Sequence, residues 1–226
     1  VKRHTGRASF DLFANYSHYV PGYGGMFMLL LMFLVGILLG SLLVIALTFV
    51  SPEFAELYGT VISYPVMFIP ALLYASANSR RNEYFETGYA LDSSNFGTLG
   101  GFRMAVIVSI ATIAAAFLAD SLNGIMPEAP AWFEDAMAKL MDAPVWITLI
   151  SVSVFAPLFE EWLCRGLVLR GLLQKTHPVS AILVSAAFFA ILHMNPWQAL
   201  PAFILGILFG YVYYRTGSLK LTMLMH

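Results

Sequence analysis

The chain is poor in charge. Of its 226 residues only 11% are Asp, Glu, Lys or Arg, against about 25% in an average soluble domain. Hydrophobic residues reach 59%, and the mean hydropathy is +0.77. A water-soluble fold of this size could not cover its surface with so few charges. A disordered chain needs the opposite composition. A nucleic-acid binder needs a basic patch, and the net charge here is -1. Cysteine is nearly absent: Cys164 is the single one, which excludes a disulfide framework and a multi-cysteine metal site. No internal repeat, low-complexity tract or second soluble domain interrupts the chain.

What is present is a series of long apolar runs. A membrane helix needs about 20 mostly apolar residues. The runs predict an all-α, polytopic transmembrane helical bundle of about seven spans. They lie near Met26–Val50, Leu57–Ala77, Met104–Ala119, Pro144–Leu173, Pro178–Met194 and Trp197–Tyr214, with a seventh from Leu219 cut by His226. The second is interrupted by Pro65 and Pro70. The fourth is apolar to Phe159 and then continues through charged residues. Residues 1–143 form an N-terminal group of helices, and 144–226 a C-terminal one. No cleavable signal is expected, because the first apolar run is too long and no small-residue cleavage site follows it closely.

Charge placement gives an orientation. With alternating spans, Lys2, Arg3, Arg7, Arg80, Arg81, Arg103, Arg170, Lys175, Arg215 and Lys220 fall on one side. Glu53, Glu56, Asp120, Glu128, Glu134, Asp135 and Asp142 fall on the other, with Lys139 the basic exception. Lys and Arg mark the cytoplasmic side, so the N-terminus is expected in the cytoplasm and the protein in a cell membrane, with bacterial inner membrane as the expected location. Ala131–Met141 places Trp132, Phe133, Ala136, Met137, Leu140 and Met141 on one face, the pattern of a helix lying in the outer interface. Gly36/Gly40 and Gly206/Gly210 are small-xxx-small pairs that suit close helix packing. Residues 83–101 read as a polar, partly mobile cytoplasmic loop.

Ionisable residues inside spans are costly and mark function. Span four carries Phe159-Glu160-Glu161-Trp162-Leu163-Cys164-Arg165. Glu161 and Arg165 stand at i, i+4 and can pair on one face. Glu160 is turned about 100° away and lacks such a partner in its own helix, which suits a general base. Span five ends in Phe189-x-x-x-His193, with Phe189 one turn from the histidine and read as packing. His226 lies about one turn inside the last segment. A nucleophilic thiolate needs an activating base or cation; Cys164, close to two carboxylates, reads instead as a small buried hydrophobe.

The ordered set Glu160-Glu161-x-x-x-Arg165, Phe189-x-x-x-His193 and His226 resembles the motifs of the CPBP family, the CAAX proteases and bacteriocin-processing enzymes also called Abi proteins. These include Ras-converting CAAX endopeptidases and lysostaphin-resistance-like proteins. The resemblance covers roughly Pro144 to His226 and includes the Thr216-Gly217-Ser218-Leu219 turn. It implies an intramembrane endopeptidase, a glutamate-dependent enzyme or metalloprotease. Glu160 would activate a water, His193 would assist, and His226 would stabilise the oxyanion together with an Asn four residues later. Glu161 and Arg165 would hold the geometry. Glu160, His193 and His226 could instead bind zinc, a known ligand set of one carboxylate and two histidines; no His-Glu-x-x-His helix is present. A peptide or membrane-protein substrate and membrane lipid are the expected partners, with no nucleic acid. The alternatives are a transporter that uses the carboxylates for protons or a cation, and an immunity or interaction protein.

The orientation is testable with single cysteines in a Cys164→Ser background. An impermeant thiol reagent applied to intact cells is expected to label position 128 and spare position 90; the reverse pattern overturns the assignment.

Overall fold

A computed structural model describes residues 13–84, 88–124 and 126–226. Lys2, Arg3 and Arg7, and residues 85–87 of the first polar loop, lie outside the described residues. Among the described residues the structure is all-helical, with no strand. Its helices are α1 Tyr23–Val50, α2 Pro52–Asn82, α3 Gly100–Asn123, α4 Ala131–Asp142, α5 Val145–Leu173, α6 Pro178–Leu192, α7 Pro196–Thr216 and α8 Leu219–Met225. Five of them (α1, α2, α3, α5 and α7) are long and apolar enough to cross a membrane. The chain is thus an integral, multi-pass membrane protein. Large apolar side chains such as Leu38, Phe49, Ile110 and Phe117 face outward along these helices, as lipid-facing surface requires.

The span count of seven needs a refinement. The fifth apolar run forms only the 15-residue α6, about 22 Å long. The seventh, α8, runs from Leu219 to Met225. By contrast α2 is a single helix through both Pro65 and Pro70; membrane helices tolerate such prolines because neighbouring groups satisfy the freed backbone.

Helix α5 is irregular. Its backbone widens to i→i+5 turns over Ser151–Phe155 and again over Trp162–Leu169, with α-helical Ala156–Glu161 between them. Such wide turns gather at functional sites. They flank the segment that carries Pro157, Glu160 and Glu161.

The basic end is closed by Arg170. Its guanidinium donates to the carbonyls of Tyr89 (2.5 Å), Tyr19 (2.6 Å), Tyr16 (3.2 Å) and Ser17 (3.3 Å). One side chain thereby fixes the segment before α1 and the segment after α2 against α5. His18 N also donates to Ser79 Oγ at the end of α2. Arg80, Arg81, Arg103, Lys175 and Arg215 sit at this same end of their helices, as the charge pattern predicts.

The loop expected to be mobile is instead tied down where it is described. Ser93 N and Asn95 N donate to the carbonyls of Gly217 and Thr216, both at 2.8 Å. Asp92 Oδ1 accepts from Leu219 N at 2.9 Å, and Leu91 O accepts from the Tyr213 hydroxyl at 2.8 Å. Asp92 also pairs with Lys220 at 3.3 Å. Gly217 adopts a left-handed φ of +62°, and a Cβ there would meet the Ser93 carbonyl oxygen. The loop was legible as polar; that its polarity caps the α7–α8 turn depends on long-range pairing.

At the acidic end α4 meets α5 and α7. Phe133, Met137 and Leu140 are half-buried and turn inward, while Trp132 and Met141 are exposed. The inward stripe is therefore narrower than the predicted face. Thr148 Oγ1 donates to Leu140 O, and Trp197 Nε1 to Pro127 O. The glycine pairs act as packing sites. A Cβ on Gly36 would collide with the Met67 backbone carbonyl, and one on Gly206 or Gly210 would press on Ala186 or Ile182 of α6.

Removing the Arg170 charge strands several buried carbonyls. Arg170→Met is expected to destabilise the protein by ~1–3 kcal/mol or more, the cost of leaving buried acceptors unsatisfied. A thermal-melt series in detergent measures this, with Arg215→Met, at the exposed end of α7, as the control that moves little.

Candidate active site

The site forms where the middle of α5 meets α2, α6, α7 and the end of α8. Glu161 and Arg165 are both fully buried and pair at 2.5 Å. Arg165 Nη2 donates to Gly206 O of α7 at 3.1 Å. The guanidinium carbon lies 4.5 Å from the centre of the Phe189 ring and 5.3 Å from that of Phe209. An unpaired cation here would be prohibitive; a carboxylate, a carbonyl and two ring faces together satisfy it. The i, i+4 pairing expected from sequence is present, and Arg165 is not shared with Glu160.

Glu160 sits on the neighbouring face and finds its partners outside its helix. Its Oε1 accepts a short hydrogen bond from the Tyr64 hydroxyl of α2. Its Oε2 is buried, accepts no hydrogen bond from the described residues, and faces His226 Nε2 at 3.6 Å. His226 Nδ1 lies 3.4 Å from Glu161 Oε1. His226, a weak candidate taken alone, thus bridges both carboxylates. It is seated edge-on to Phe189 and against Phe209, with ring centroids 5.6 and 5.8 Å away.

His193 caps the end of α6, and its Nδ1 is 2.9 Å from Phe189 O. A carbonyl only accepts, so Nδ1 carries the hydrogen, and in the neutral ring Nε2 is then the acceptor. No hydrogen bond joins His193 to Glu160 among the described residues. They meet as walls of one cavity of ≈ 190 Å³, shared with Phe33, Tyr64, Met67, Phe68, Leu192 and Gln198.

The depths of these residues agree because α5 is longer than α6. Glu160 lies about 20 Å from the basic end of α5 and His193 about 22 Å from the basic end of α6. Helix α8 starts already recessed, with Leu219 packed beside Gly166. Its short length therefore suffices to bring His226 to the carboxylates.

One expectation is refined. Phe189 does pack, and it also carries Arg165 over its ring and His193 and His226 edge-on to it. Among the described residues no three His, Cys, Asp or Glu side chains gather into a group able to hold a metal ion. His226 is turned between the two carboxylates, and His193 is anchored to its own helix. Cys164 is fully buried, and its carbonyl accepts from Ser185 Oγ at 3.0 Å. It packs as a small hydrophobe. Tyr64 had no sequence signal beyond being a polar-tipped aromatic in an apolar span; its pairing crosses 96 positions.

Breaking the buried pair and neutralising Glu160 have different costs. Glu161→Gln is expected to lower stability by about 3–5 kcal/mol, as removal of one partner of a buried pair does in soluble proteins. Glu160→Gln keeps the acceptor for Tyr64 and is expected to stay folded. Thermal midpoints in detergent compare the two, and equal midpoints overturn the division.

Residues 142–226 match the family model described as Rce1-like, type II CAAX prenyl endopeptidase Rce1-like. Neither the curated proteins nor the solved structures gave a match to the chain. The matched residues run from the end of α4 to His226 and contain Glu160, Glu161, Arg165, His193 and His226. The segment 142–226 is thus similar to the Rce1-like type II CAAX prenyl endopeptidases.

Proposed function

We propose that the protein is an intramembrane endopeptidase in which Glu160 activates a water for attack on a peptide carbonyl. The observation that carries this reading is Glu160 Oε2, a buried carboxylate oxygen without a hydrogen bond from the described residues, on a cavity it shares with His193. Glu160 takes one proton from the water as its oxygen bonds to the carbonyl carbon. His193 Nε2, fixed as an acceptor by the Nδ1 contact to Phe189 O, orients the same water. The carbonyl oxygen becomes an oxyanion, and His226 stabilises it as a hydrogen-bond donor. Glu160 then returns the proton to the departing amine nitrogen as the C–N bond breaks. Glu161 and Arg165 hold this arrangement without touching the substrate.

The substrate is a peptide or protein segment at the membrane. The apolar walls from Phe33, Met67, Phe68 and Leu192 suit an apolar side chain next to the scissile bond, as in a CAAX tail or an apolar leader segment. The N-terminus and the basic end face the cytoplasm of a bacterial inner membrane, on the Lys and Arg distribution.

The experiment uses the full chain in proteoliposomes with a quenched fluorescent peptide ending in a farnesylated CAAX sequence, and its unprenylated twin. Cleavage of the farnesylated peptide is expected. Glu160→Gln and His193→Ala are each expected to lower turnover by about 10²–10⁴, while Cys164→Ser retains it. Near-normal turnover by Glu160→Gln rejects the assignment, and loss of wild-type turnover to a chelator rejects activation of water by Glu160 alone.

A further inference from the structure

Tyr64 belongs to α2, outside the 142–226 segment that carries the family motifs. It is nevertheless hydrogen-bonded directly to Glu160. Its ring is held in place: Tyr64 lies 5.8 Å from Phe68, and Phe68 stacks on Phe159, the residue before Glu160, at 5.1 Å and 14° between planes. Two aromatic residues of α2 therefore register that helix against α5 beside the carboxylate.

A carboxylate in an apolar bundle has two oxygens and several rotamers. A phenol supplies one O–H donor, and a hydrogen bond to a charged acceptor is stronger than a neutral one. With Oε1 held by Tyr64, Oε2 is left to face His226 Nε2 at 3.6 Å. Tyr64 also lines the cavity that holds Glu160, His193 and Gln198.

We infer that Tyr64 is a positioning residue for the reaction: it fixes Glu160 through Oε1 so that Oε2 is presented to the water, and the N-terminal helices thus complete a site whose motifs all lie in the C-terminal segment. This rests on the reading of Glu160 as the base. Loss of the phenol lowers the rate of the chemical step and leaves substrate binding alone, because Tyr64 acts on the geometry of the base.

The test is Tyr64→Phe, which keeps the ring that packs on Phe68. In proteoliposomes with the farnesylated CAAX peptide, kcat is expected to fall roughly 10–100-fold, the range for losing one hydrogen bond to a charged group, with KM unchanged. In the Glu160→Gln background the same substitution has no further effect, since the base it positions is gone. Replacement of Tyr64 by 3-fluorotyrosine preserves packing and changes the donor strength of the phenol; it is expected to alter kcat at an unchanged thermal midpoint. A readout independent of turnover is the labelling rate of Glu160 by dicyclohexylcarbodiimide, followed by mass spectrometry. Freed of its phenol, Glu160 is expected to label several times faster in Tyr64→Phe. Equal kcat in wild type and Tyr64→Phe, or a rise in KM alone, overturns the positioning role. Equal labelling rates overturn the hydrogen bond itself. Absence of turnover by the wild type on this peptide, with the labelling difference intact, counts against the proposed activity and leaves the Tyr64–Glu160 coupling standing.

Discussion

The buried Glu161–Arg165 pair is the constraint on which the rest of the arrangement depends. Taken alone, such a pair contributes little: desolvating both charges costs about as much as their attraction returns. Its value lies in what else must be present for it to exist. Arg165 requires the Gly206 carbonyl and the faces of Phe189 and Phe209, and Glu161 brings in His226. Satisfying one cation therefore fixes α5, α6, α7 and α8 against one another. Gly206 permits this, because a side chain there would press on Ala186 and move the carbonyl away from the guanidinium. Once that register is set, the adjacent position, about 100° round the helix, points Glu160 into a different environment with no cation of its own.

That separation of two consecutive glutamates is sharpened by the backbone of α5. The wide turns over Ser151–Phe155 and Trp162–Leu169 change the facing of residues before and after the glutamates. The seven residues from Trp162 to Val168 are all buried, so α5 is the central helix of the bundle along this stretch. Before Ala156 it presents Val152 and Val154 outward. The helix thus passes from periphery to centre close to where the glutamates sit. A regular α-helix would keep one face inward throughout.

The parts legible in the sequence were those set by local composition and by short spacing. Apolar run length gave the helices, basic and acidic residues sorted the two ends, and the i, i+4 spacing gave the Glu161–Arg165 pair. The parts not legible involve groups brought together from distant positions. Arg170 looked like one of several basic residues flanking a span, yet it collects four carbonyls from two segments. Residues 83–101 looked like a polar, partly mobile loop, yet Asp92, Ser93 and Asn95 complete the hydrogen bonding of the α7–α8 turn. His226 looked interfacial by its position one turn into a helix, because nothing local revealed that α8 begins inside the bundle. The apolar run length gave the fifth span nearly its observed bounds, but not that α6 ends at Leu192 so that His193 caps it.

The division between the two halves of the chain follows from these placements. The carboxylates, guanidinium and imidazoles of the site all come from α5–α8, and Glu160 takes its hydrogen bond from outside that group, from Tyr64 of α2. The apolar walls around them come largely from α1 and α2: Phe33, Met67 and Phe68 line the cavity, and α1 approaches α2 closely enough there that Gly36 abuts the Met67 carbonyl. A charged cluster inside a membrane protein needs low-dielectric surroundings to strengthen its interactions and a boundary to keep lipid and bulk water from rearranging it. Here the C-terminal helices supply the charges and the N-terminal helices supply the boundary. Among the described residues, the hydroxyl of Tyr64 is the polar atom that α1 and α2 contribute by hydrogen bond to that cluster. Packing between Phe68 and Phe159 therefore acts on chemistry as well as stability, since any slip of α2 along α5 would carry that hydroxyl away from Glu160.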